Sequence, residues 1–125
     1  KTKRSRIMSG LISVYRIVVY TPPQDVENII NASLAIDPLA NGPYEQVAWI
    51  SAEHGLEQFV PIAGSLPSSG TLGAKSILPS VRVEISVRRD EILLDEMLQA
   101  ISKAHRWEQP VICVSEGFEW NSMPS

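Results

Sequence analysis

The side chains with the widest chemical range in this sequence are His54, His105, Cys113 and Glu108. Two histidines and a carboxylate could hold a metal, or move protons in a hydrolysis, if they met within bonding distance of one point. Their spacing does not announce such a site. There is no H-x-x-x-H or C-x-x-C pair, and no nucleophile elbow that would set a serine or cysteine beside a histidine. The plain alternative is that both histidines hydrogen-bond within loops and that Cys113, in an apolar run, packs as a small hydrophobic side chain.

A second candidate is Gly70-Thr71-Leu72-Gly73-Ala74-Lys75-Ser76. A phosphate loop of the G-x-x-x-x-G-K-S kind needs glycine where Ser69 and Ala74 stand, and a helix after it. A strand follows here, so no helix dipole faces the anion. A looser anion nest formed around Gly70, Gly73 and Lys75 remains open. Asn31-Ala32-Ser33 matches a glycosylation sequon but falls in the middle of an expected helix, where it reads as chance. Of the three tryptophans, Trp49 fits a core role on its strand. Trp107 and Trp120, in a connector and near the C-terminus, fit covering a sheet edge or a neighbouring chain.

The elements that must position these residues follow from periodicity. Residues 13–20 are β-branched and aromatic without a breaker, and predict a central strand. Thr21, Pro22 and Gln24 carry helix-start signals, as a cap, a first-turn proline and a capping-box partner. Val26, Ile29, Ile30 and Leu34 then line an apolar stripe, with Asp25, Glu27, Asn28 and Asn31 on the wet side. Asp37-Pro38 ends that helix. Residues 47–51 predict a second strand, and residues 53–79 a long loop with a short edge strand at 59–62. Val81, Val83, Ile85 and Val87 alternate with Arg82, Glu84, Ser86 and Arg88, so that strand has one buried and one wet face. Asp90 caps a second helix with Leu94, Met97, Leu98 and Ile101 on its stripe. His105 to Gln109 connects it to a last strand at 111–114, opened by Pro110. The order is βαββαβ, an α+β ferredoxin-like sandwich with an antiparallel sheet and both helices on one face.

Composition sets bounds on function. With 44% hydrophobic and 20% charged residues, the 125-residue chain has the make-up of one globular domain. It divides into a basic stub at 1–12, a folded domain at 13–118 and a tail at 119–125. Lys1, Lys3, Arg4 and Arg6 concentrate positive charge in the stub. The remaining 119 residues carry seven basic and fourteen acidic side chains, a net of −7. An acidic body disfavours nucleic acid, whose affinity comes from neutralised phosphates. No apolar run approaches the roughly 18 residues of a membrane span, and one cysteine forms no internal disulfide. A cytoplasmic protein is expected, or a nuclear one if the stub is native, with no cofactor.

Part of the chain resembles a known module. Ala104-His105-Arg106-Trp107-Glu108-Gln109-Pro110-Val111 is similar to the A-H-P-Y-E-E-P-A pattern of Nif-three-like (YqfO-type) proteins. Residues 81–87 resemble their V-R-I-E-x-x-V strand, Tyr15 to Pro22 their K-x-V-V-Y-V-P opening, and residues 57–70 their segment ending in a turn and a glycine. The likeness spans about residues 13–116 and is to the insert or stand-alone domain. The enclosing domain with the paired metal site has no counterpart, so no metal ligand carries over. Arg106, Trp107 and Gln109 depart from the pattern, whereas His105 and Glu108 match it. The resemblance implies the ferredoxin-like fold of the trimer-forming CutA and PII proteins. It suggests a non-catalytic homo-oligomer, a trimer by preference, that binds a small ligand or a protein partner. Within that reading His105, Trp107, Glu108, Gly70, Gly73 and Lys75 are the candidate ligand-binding residues. The alternative is a small metal-handling or hydrolytic protein using His54, His105 and Glu108.

Overall fold

The computed structural model describes residues 10–122. Most of the basic stub, residues 1–9, and the last three residues of the tail lie outside the described residues. The elements run β1 (Leu11–Thr21), a 3-10 turn (Pro23–Asp25), α1 (Val26–Leu34), β2 (Trp49–Ile50), β3 (Gly55–Phe59), β4 (Ser76–Arg88), α2 (Glu91–Ala104) and β5 (Val111–Trp120). The sheet order is β2-β4-β1-β5, with β3 also on β4, and every pairing is antiparallel. This is the predicted α+β sandwich, its two helices packed on one face of the sheet.

The core lies where the alternation places it. Tyr15, Ile17 and Val19 of β1 and Val81, Val83, Ile85 and Val87 of β4 meet Ile29 of α1 and Leu93, Met97 and Ile101 of α2. Asp90 caps α2, accepting from the N–H groups of Ile92 at 3.0 Å and Leu93 at 3.1 Å. Leu39 also enters the core, and pays for it with a left-handed backbone at φ 52°. Asp37 Oδ2 accepts the Leu39 N–H at 2.9 Å and fixes that turn.

Several expectations need correction. Helix α1 begins only at Val26, after a 3-10 turn whose Pro22 provides no side-chain cap, and Thr21 instead ends β1 as a buried residue. The expected second strand is reduced to two residues. The short edge strand is Gly55–Phe59 rather than 59–62, and β4 begins five residues before Val81. Both pieces of the second strand pair with β4 but out of step. Ile50 faces Val83 and Gly55 faces Ser80, so residues 51–54 bulge opposite 81–82. Pro79 is tolerated within β4 because that half pairs on one side only. The last strand runs on to Trp120, so Glu119 and Trp120 pair with Ile12 and Leu11 rather than forming a tail. Cys113 is exposed, not packed, because β5 is an edge strand and Cys113 shares with Val18 the face opposite the helices. Trp49 is likewise 52% exposed, since the two-residue β2 lies at the sheet margin.

Candidate functional site

The connector between α2 and β5 is where the chemistry collects. His105 ends α2 and turns its ring inward, leaving the residue 7% exposed. Its Nε2 lies 2.7 Å from the Tyr20 carbonyl oxygen, and its Nδ1 lies 3.1 Å from the Trp107 N–H. A carbonyl demands a donor and an N–H demands an acceptor, so the pattern sets the neutral tautomer with its proton on Nε2. Both nitrogens are thereby occupied. His105 pins the connector to β1 and holds the Trp107 ring at 4.9 Å from its own.

Next to it, Arg106 forks onto Asp25 with Nε and Nη2 at 2.5 and 2.8 Å from the two carboxylate oxygens. Asp25, expected on the wet side of α1, is buried because it sits in the 3-10 turn beneath this connector. The Arg106 hydrogen bond outweighs desolvation and holds the Asp25 carboxyl below the usual range. The pair escaped the sequence reading, and the signal for it was the arginine at a position where the resembling pattern has proline.

Glu108 turns the other way. Its Oε1 accepts the Leu66 N–H at 2.6 Å and ties the loop after β3 to the connector. Between the two lies a cavity of about 220 Å³. Phe59, Pro61, Pro67, Trp107 and Val111 give it apolar walls; Glu57, Glu108, Gln109 and Ser65, Ser68 and Ser69 give it polar ones. Among the described residues no lysine, arginine or histidine lines it.

The structure therefore brings together two of the expected ligand residues, Trp107 and Glu108, with His105 behind them as a support. Gly70, Gly73 and Lys75 are not on the cavity wall. Gly70 is a packing glycine: at φ 86° an added Cβ would stand 2.7 Å from Ser76 Oγ and 3.3 Å from the Phe59 ring. Gly73, at φ 78°, faces open space, and Lys75 is exposed. His54 is exposed on the bulge, 3.2 Å from the Gly55 carbonyl oxygen. Among the described residues no group of three His, Cys, Asp or Glu side chains is placed to hold a metal ion. The sequence reading missed Glu57 and Phe59, although their i, i+2 spacing in a strand puts both on one face.

On the sheet face away from the helices, Arg16 gathers a polar network. It pairs with Glu84 and donates from Nη1 to Ser86 Oγ at 2.8 Å and Glu119 Oε2 at 2.7 Å. Ser86 Oγ also donates to Glu119 at 2.7 Å. The Arg16 hydrogen bond, against desolvation, holds Glu84 below the usual carboxylate range.

No family model matches the sequence, and no curated protein matches it. Solved structures do. A Bacillus cereus protein related to NIF3 superposes with a TM-score of 0.68 at 21% identity, over 86% of this chain and 26% of that one. The periplasmic divalent cation tolerance protein CutA from Archaeoglobus fulgidus gives 0.56 at 16% identity, over 82% and 81%. A B. subtilis GlnK–ATP complex gives 0.54 at 12% identity, over 84% and 82%. The chain shares their fold. Its CutA-like architecture spans about a quarter of the NIF3-related chain and about four-fifths of the CutA and GlnK chains. Among the described residues no helix is long and apolar enough to cross a membrane.

Proposed function

We infer that this chain is a non-catalytic module that assembles with copies of itself, three by preference, and holds a small ligand in the cavity beside the connector. The observation that carries the reading is the projecting arm made by β3 and the first part of β4. Residues 81–88 of β4 pair with β1, but residues 76–80 pair only with β3, so the arm is a two-stranded ribbon beyond the sheet. A two-stranded ribbon on its own is marginal in water. This one also exposes Leu56 at 70% and Ile77 at 51%, which the register puts on the same face of the ribbon. Exposed apolar side chains sharing one face of an edge ribbon mark an interface. The number three comes from the resemblance to CutA and PII proteins. Ligand binding draws support from the cavity beside the connector.

Placing charges on the arm tests this. The double variant Leu56→Asp, Ile77→Asp should keep its circular dichroism spectrum and run as a monomer by light scattering. A variant that stays folded and assembles like the parent overturns the reading.

A further inference from the structure

We propose that the cavity between the β3–β4 loop and the connector is a site for a small organic cation, an amine or quaternary ammonium on a short apolar body. The proposal deepens the ligand-binding half of the reading above and does not need the assembly.

Charge comes first. Two carboxylates, Glu57 and Glu108, line the cavity, and among the described residues no basic side chain does. The described cations near this end of the molecule are engaged or turned elsewhere. Arg106 is committed to Asp25, and Lys75 lies off the wall. Glu108 spends one oxygen on the Leu66 N–H, and Glu57 has no hydrogen-bond or ion-pair partner among the described residues. An anionic ligand would meet two like charges and no counter-ion.

The walls supply the rest. Trp107 and Phe59 present aromatic rings, and Pro61 and Val111 add apolar surface. Rings attract a cation through their quadrupole, most strongly when the cation is weakly hydrated, as a quaternary ammonium is. Aromatic residues beside carboxylates favour such a group over both a neutral molecule and a strongly hydrated metal ion. A metal would need three or four converging ligands, and no such group exists among the described residues. The size is consistent: about 220 Å³ is below the roughly 300–1,000 Å³ of pockets that take drug-sized ligands, so the occupant is small. The Trp107 backbone N–H bonds to His105, its ring rests 4.9 Å from the imidazole, and Glu108 holds the loop, so the walls exist before the ligand arrives.

The test uses choline, its uncharged carbon isostere 3,3-dimethylbutanol, and inorganic phosphate, titrated calorimetrically into the full chain. Choline should bind, and the two others should bind at least about tenfold more weakly. Glu57→Gln, which breaks no bond among the described residues, should weaken choline about tenfold and leave the melting temperature unchanged. Trp107→Leu should weaken it comparably. Equal binding of choline and the alcohol, preference for phosphate, no binding of any of the three, or an unaffected Glu57→Gln variant would each overturn the proposal. The mass in solution, measured on the same samples, separates this outcome from that of the assembly. A monomer that binds choline keeps the site and loses the assembly, and a trimer that ignores choline does the reverse.

Discussion

His105 shows how one side chain decides the local order. Its two ring nitrogens bridge β1 and the connector. His105→Ala removes the acceptor of the Trp107 backbone N–H and one of the donors to the Tyr20 carbonyl, which still faces Val111 of β5, and should cost about 1–3 kcal/mol of stability by urea denaturation. It should also free the Trp107 ring, visible as a shift in its indole resonance. Nearby, Asp25 and Glu84 make the protein sensitive to acid. Both carboxyls sit below their ordinary values because a guanidinium hydrogen-bonds to each. A depressed folded value means stability that is complete above the unfolded value of about 4 and is lost as the pH falls through the folded one. The urea midpoint should therefore drop between about pH 5 and pH 2. Arg106→Gln should shrink that drop by removing the Asp25 contribution. A midpoint independent of pH over that range would contradict the assignment.

At the scale of elements, the loop between β3 and β4 holds three left-handed glycines, Gly64, Gly70 and Gly73, and depends on the last two to different degrees. Gly70→Ala suffers both the backbone penalty and the collision with Ser76 and Phe59, while Gly73→Ala suffers only the backbone penalty of about 1–2 kcal/mol. Gly70→Ala should thus be the more destabilising of the two in thermal melts, and equal effects would argue against the packing described. The same region marks the limit of what the sequence makes legible. Central strands and the second helix announce themselves, because Val81, Val83, Ile85 and Val87 alternate cleanly and Asp90 is a strong cap. β3 does not, since Glu57 and Gln58 have weak strand propensity and the ribbon is held by pairing with Ser76–Ser80 rather than by an apolar face. The bulge at 51–54 comes from register, which no local pattern encodes. Of the candidate site, Trp107 and Glu108 were readable in the connector, but their partners across the cavity belong to β3 and its loop. They meet only through tertiary pairing. Cys113 and Trp49 misled because residue type predicts burial on average, whereas position at a sheet margin decides it.

For the whole molecule, the central question is what covers its apolar surface. The helix-side core is closed and ordinary: Ile17, Met97 and Ile101 are fully buried, and truncating one of them to alanine should cost about 2–5 kcal/mol. The ribbon is different: one of its faces meets the connector across the cavity, and the other leaves Leu56 and Ile77 exposed. A fold of this kind is complete in its core and incomplete at its arm. Sedimentation equilibrium of the unmodified chain over a hundredfold range of concentration tests that directly. The account predicts a single species at three times the 13.8 kDa of one chain, stable to dilution. A species of 13.8 kDa at every concentration would contradict it.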